Sequence, residues 1–382
     1  MNDVYRRLAA RLDTLPHGFP GTQSGVELRI LAKIFSPEDA AMTLDLLPIP
    51  ETAEAVARRL RRPVEALRPV LDGMAARGQI ASFRFRGAHV YQLAPFVIGI
   101  YEFQLPRMDA ELAGMFEEYA PTLVQTVGGD KPALARVVPV NAHIEARAEV
   151  LRHENVRTML ERARSFRLME CICRKEQAAL GKSCSHTLET CLAFSPEENA
   201  YEGTLPDGYG RTITKEEALA VLDLAEQEGL VHCTYNVQRS QMFVCNCCPC
   251  CCAFLRGIND FGAPHLLVHS NYLAQVDPET CTACGECSAG RCPMGAIGDH
   301  GGSYAVDAER CIGCGACTFV CPGDAIALIL RPREDRTAPP KDIVSWAFRR
   351  AVSRAGPLRA IAQFGSLAAR LMTARRVLAR EE

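Results

Sequence analysis

The sequence predicts a multidomain α+β protein, and three observations carry that prediction. The first 95 residues read as short helices followed by a strand–turn–strand. All nineteen cysteines then fall between residues 166 and 330, the last eight of them in a thirty-residue repeat. Beyond the repeat, a proline-rich linker leads into a basic, helically patterned tail. At 382 residues the chain is long enough for several domains.

Composition narrows the class. Hydrophobic residues make up 48% and charged residues 23%, as in an ordinary globular protein. The net charge of −2 hides an asymmetry. Segment 331–382 has eleven Arg and one Lys against five acids, about +7, so the remainder is about −9. The opening "MNDVYRRLAARLDTLPHGF" is amphipathic and lacks the apolar run of a signal peptide. No stretch approaches the ~18 apolar residues of a membrane span. The expected location is the cytoplasm, where thiols stay reduced, so dense cysteine points to metal or redox chemistry rather than disulfides.

The elements follow in order. Residues 1–23 form an N-terminal helix. Residues 24–95 contain "GVELRILAKIF", which Ser24 would cap, and "AAMTLDLL" behind Ser36-Pro37. "ETAEAVARRL" and "PVEALRPVLDGMAARG" come next, with Pro69 expected to interrupt the latter. "QIASFRF" and "HVYQLA" then flank a turn. Helices capped by a two-stranded wing resemble the winged-helix fold. Residues 96–165 read as a helical connector, with "MDAELAGMFEEYA" and 144–164 helical and "RVVPV" a strand. Residues 166–260 form a Cys-rich metal or iron–sulfur domain holding a helix behind the capping box Thr214–Glu217. Residues 272–331 carry the repeat. Residues 332–382 form the tail, whose apolar stripe (Ile343, Trp346, Ala347, Ala351, Leu358, Ile361, Leu367 and Leu371) is expected to dock, with its arginines outward.

In the repeat, "VDPETCTACGEC" matches "VDAERCIGCGAC", and "CPMGAI" matches "CPGDAI". The run Cys311-x2-Cys314-x2-Cys317-x3-Cys321-Pro322 resembles the bacterial two-cluster [4Fe-4S] ferredoxin, a βαβ repeat. The resemblance implies one cluster on Cys281, Cys284, Cys287 and Cys321. It implies a second on Cys311, Cys314, Cys317 and Cys292, because the fourth cysteine of each run crosses to the other cluster. The first run departs from the pattern: four residues, Ser288 to Arg291, separate Cys287 from Cys292 where the family has three. The extra residue is expected to bulge outward and to make Cys292 the weakest ligand.

Upstream, Cys171, Cys173, Cys184 and Cys191 precede the run "CNCCPCCC", which places Cys245, Cys247, Cys248, Cys250, Cys251 and Cys252 in eight positions. Cys171 and Cys173 are expected on one face of a strand end, and Pro249 favours a loop. These ten cysteines are the candidate pool for at least one further iron–sulfur cluster, with zinc as the alternative. Cys233 reads as a buried hydrophobe. His186 and His232 are not taken as ligands.

No nucleotide-binding signature and no catalytic constellation appears. The leading reading is a multi-cluster iron–sulfur protein that delivers single electrons to a protein redox partner. It reads as a component of an oxidoreductase system rather than as a stand-alone enzyme. Two alternatives stand beside it. One is a redox-sensing regulator whose winged helix binds DNA; Arg61, Arg62, Arg68 and Arg77 are its basic residues, diluted by Glu65 and Asp72. The other is an enzyme with a catalytic cluster in 171–252. For the tail, contact with an anionic membrane surface is the alternative to docking.

Overall fold

The computed structural model describes residues 3–140 and 154–378, with side chains as far as Leu367. The N-terminal part is helical: α1 (Asp3–Asp13), α2 (Val26–Ile34), α3 (Pro37–Asp45), α4 (Ala53–Leu60) and α5 (Val64–Ala76). An antiparallel hairpin follows, β1 (Ala81–Phe85) with β2 (Ala88–Gln92). Ser36 caps α3 by accepting from Asp39 N–H. At α2 the cap is Gly25 rather than Ser24. Gly25 takes φ 66°, and Thr22 Oγ1 accepts from Val26 N–H. Pro69 does not interrupt α5. It sits on an exposed face, so the Glu65 carbonyl it leaves without an N–H partner can be hydrated.

Residues 96–107 are tight turns, including the short helix α6 (Tyr101–Phe103), and lead to the long helix α7 (Ala110–Gly129). The core of this half, with Leu8, Ile30, Leu71, Phe96 and Tyr119, also takes in Met169, Ile172 and Tyr209 from the Cys-rich region. The wing tip is tied to the same region: Arg86 N–H donates to the Glu197 carboxylate and Arg84 N–H to Ala200 C=O. Of the helix expected over 144–164, residues 141–153 lie outside the described residues, and α8 (Val156–Glu161) is its visible part.

The Cys-rich region is built on a seven-stranded sheet. Its strands are β3 (Ala135–Val138), β4 (Ser165–Glu170), β5 (Glu189–Ser195), β6 (Arg211–Ile213), β7 (Val231–Tyr235), β8 (Phe243–Cys247) and β9 (Leu267–Val268), in the order β6-β4-β5-β8-β7-β3-β9. Every pairing is antiparallel except β3 with β9. Helices α9 (Ile172–Ala179), α10 (Lys215–Gln227) and α11 (Ala253–Asn259) complete it. The Thr214–Glu217 capping box opens α10.

The repeat folds as two antiparallel strand pairs. β10 (Tyr272–Val276) pairs with β13 (Ile326–Leu330), and β11 (Ile297–Asp299) pairs with β12 (Tyr304–Val306). The two halves copy each other's anchoring: Cys281 N–H donates to Asp277 C=O, and Cys311 N–H to Asp307 C=O. The expected helix of each βαβ unit is absent. It is a 3₁₀ turn over Ala316–Val320 in the second half and a non-helical turn in the first. Cysteines two or three residues apart that must face one centre leave no room for a regular α-helix.

The linker is pinned, with Gln238 bonded to the Pro339 and Pro340 carbonyls and Asn271 to Thr337. Helix α12 (Ile343–Ala355) docks on the body and α13 (Pro357–Leu378) turns back beside it. Trp346 is fully buried and its Nε1–H donates to Ala133 C=O at 3.0 Å. The tail departs from expectation in two ways. Arg350 points inward and is fully buried, where its guanidinium donates to the carbonyls of Pro16, Val127, Asp130 and Pro132. Leu358 and Ile361 face outward, 82% and 57% exposed. Four converging carbonyls near Asp130 stabilise a cation inside, and docking one face of α12 leaves α13 few apolar neighbours. Among the described residues, no helix is long and apolar enough to cross a membrane.

Candidate metal centres

In the repeat, two cavities are lined by cysteine and mostly apolar residues. Cys292, Cys311, Cys314 and Cys317 line the first; Cys281, Cys284, Cys287 and Cys321 line the second. Each run of three closely spaced cysteines is therefore joined by the fourth cysteine of the other run. Backbone N–H groups point at the sulfurs. Ala296 N–H donates to Cys292 Sγ and Ala325 N–H to Cys321 Sγ, both at 3.2 Å. Gly313 is required here: with φ 66°, an added Cβ would run into the Tyr272 carbonyl and Ser270 Oγ. Apolar walls, four thiols and N–H donors fit a cube of iron and sulfide.

The two cavities differ in depth. Cys311, Cys314 and Cys317 are buried, and burial pushes the Cys314 thiol up to about 12. Cys284 is exposed and Cys281 half-buried, so the second cavity lies at the surface. The inserted residue before Cys292 leaves Arg291 half-buried. Its guanidinium bonds Ala316 C=O at 2.8 Å and the Gln227 and Glu226 carbonyls at the end of α10, each at 2.9 Å. Arg291 thus fastens the repeat to the sheet domain, with its charge near Cys314 and Cys317.

The upstream cysteines form two groups. In the first, each thiol interacts with the next around a closed ring: Cys171 with Cys173, Cys173 with Cys252, Cys252 with Cys247, Cys247 with Cys245, Cys245 with Cys191, and Cys191 with Cys171. Sheet order explains the ring. β5 lies between β4 and β8, so Cys191 comes beside Cys171 and beside Cys245, and the period of two puts Cys245 and Cys247 on one face. Cys173 is not on a strand. β4 ends at Glu170, Cys171 is the N-cap of α9, and Cys173 follows in its first turn. Cys252 is the N-cap of α11. Cys233 is buried as expected, yet it also interacts with Cys247 and lies near Cys314. No sequence signal distinguished that role from packing.

The second group is Cys184, Cys248, Cys250 and Cys251. Arg174, only 2% exposed, lies between the groups. It donates to the carbonyls of Thr187 and Asn246 and to Thr190 Oγ1. Hydrogen bonding from Cys251, and then Arg174 acting against burial, hold Cys248 at about 4. Hydrogen bonds from Cys173 and Cys191, with Arg174 adding to them, likewise lower Cys171. His186 and His232 are engaged elsewhere, with Glu228 at 3.3 Å and Asn246 at 2.6 Å.

Residues 273–322 match a family described as a 4Fe-4S dicluster domain. Comparison with curated proteins and with solved structures finds no match. The chain is thus a mixed helix-and-strand protein with a 4Fe-4S dicluster domain in its C-terminal part. That domain, with the cysteines upstream, marks iron–sulfur electron transfer.

Proposed function

We propose that the chain conducts single electrons between the six-thiol ring and a protein partner that docks at the surface cavity. One observation carries this reading. The ring cysteines Cys245, Cys247 and Cys252, the bridging Cys233, all four cysteines of the deeper cavity, and Cys287 and Cys321 of the surface one share one continuous apolar core. Low-dielectric packing favours electron passage over side reactions of the buried sulfur sites. The quartets assigned to the two cubes are Cys281/Cys284/Cys287/Cys321 and Cys311/Cys314/Cys317/Cys292, and a third cluster belongs to the ring. Such clusters supply one-electron redox chemistry at potentials set by burial, hydrogen bonds to sulfur and nearby charge.

The order follows from depth. The ring is the inner terminus, the Cys311 quartet the middle site and the Cys281 quartet the exit. Exposed Asp277, Glu279, Glu286 and Asp324 surround that exit, so the partner presents a basic patch. The winged-helix-like part serves as a support for the ring rather than as a DNA reader. Two of its four basic residues are already paired, Arg68 with Glu54 and Arg77 with Asp39. The test is electron paramagnetic resonance of the full chain, purified without oxygen and reduced with dithionite. Three iron–sulfur signals are expected, and Cys173→Ala combined with Cys247→Ala should remove one while leaving the dicluster pair. Two signals in the parent chain, unaffected by that double substitution, would refute the third cluster.

A further inference from the structure

We infer that Cys184, Cys248, Cys250 and Cys251 form a second, separate kind of centre in the Cys-rich domain: a four-thiolate site for one transition-metal ion, without sulfide. The argument is one of distance. Cys184 Sγ lies 3.9 Å from Cys248 Sγ and 3.7 Å from Cys250 Sγ, and Cys250 and Cys251 are 3.7 Å apart. All four sulfurs lie within 4.8 Å of one another. A tetrahedral ion with metal–sulfur bonds near 2.3 Å sets its sulfurs about 3.8 Å apart. The thiolates of a cube each bind a different iron and point away from its centre, so they cannot all be in mutual contact.

The molecule supplies its own control. Among the described residues this is the one group of three or more potential ligand atoms packed so closely. The two ferredoxin-like quartets, each lining one cavity, do not meet that spacing.

The chain explains how both centres arise from one run. Cys245 and Cys247 end β8 facing the ring. Pro249 breaks the strand, and the turn carries Cys248, Cys250 and Cys251 to the other side, where Cys184 arrives from the loop after α9. At Cys252 the chain begins α11 and returns to the ring. "CNCCPCCC" is therefore two ligand sets interleaved. Four protein ligands close the coordination sphere, as in structural zinc sites, and four soft thiolates take Zn²⁺ or a single iron. Arg174 partly offsets the negative charge that four thiolates leave on a divalent ion.

The test is metal and sulfide analysis of the full-length protein purified without oxygen. One ion per chain, zinc or iron, should exceed what the measured sulfide accounts for, and Cys184→Ser with Cys250→Ser should remove that ion with sulfide unchanged. Zinc lost or iron lost tells which ion it is. Loss of sulfide together with about four irons, or retention of all metal, overturns the inference. Should the variant not fold, the parent chain grown with cobalt decides. Visible ligand-field and thiolate charge-transfer bands of a tetrahedral four-thiolate cobalt(II) centre are expected, and their absence is contrary.

Discussion

At the scale of single residues, Cys292 is the most informative position. It follows an inserted residue, yet it lines the cavity of Cys311, Cys314 and Cys317 and accepts from Ala296 N–H. Removing it takes one of four thiols from the deeper cavity and none from the surface one. Cys292→Ala should therefore lower the iron bound by about one cube's share or less, and alter one resonance signal of the pair. Loss of the signal that depends on Cys284 instead would show that the crossing of fourth ligands is wrong. The insertion itself has an evident structural use, because Arg291 bonds Ala316 within the repeat and two carbonyls at the end of α10. An inserted residue was legible from the spacing, and it was expected to bulge outward; Arg291 instead is half-buried against α10. That its arginine would be a clamp was not, because nothing in the sequence states what lies opposite.

At the scale of elements, α12 shows where patterning succeeds and where it misleads. The stripe through Trp346 and Ala351 correctly marks a docking helix. Arg350 was placed outside because arginines normally are, yet it is the anchor of the helix. Arg350→Ala should cost about 3–5 kcal/mol, since four buried carbonyls lose a charged donor. The thermal midpoint should fall and Trp346 emission should shift red. Arg350→Lys should recover little, because one ammonium cannot reach the same carbonyls as a planar fork. The same contrast holds in the sheet. The Thr214–Glu217 capping box and the β1–β2 hairpin were readable from local chemistry. The thiol ring was not, because it depends on β5 lying between β4 and β8, and strand order over such separations leaves no local mark. The splitting of the eight-residue run between two centres was hidden for the same reason.

At the scale of the whole molecule, His17 sits where three parts meet. Its ring lies 5.0 Å from that of Trp346 and its Nε2 is 3.2 Å from Tyr235 Oη, so it joins the N-terminal segment, the sheet and the tail. Burial, then Arg350 and Arg354, lower it to about 3 from an ordinary 6.5. The unfolded chain therefore takes up this proton first as pH falls. The stability it withholds is nil above 6.5 and grows as pH drops toward 3, at about 1.4 kcal/mol per unit, hence about 2 kcal/mol between pH 6.5 and roughly pH 5. Thermal melts followed by Trp346 emission should show this acid loss in the parent chain and less of it in His17→Gln. Equal slopes would mean that other groups, or loss of the metal centres, dominate.

The reach of α12 has a consequence for the order of synthesis. Arg350 bonds Pro16 and Arg354 bonds Asp13, partners 334 and 341 residues upstream. Every cysteine, through Cys321, precedes both arginines in the chain. A nascent chain therefore displays all nineteen thiols before the seam around His17 and Trp346 can close. That seam is therefore among the last long-range contacts the chain can make, and it joins the two ends of the described chain only after every metal-binding candidate has been synthesised.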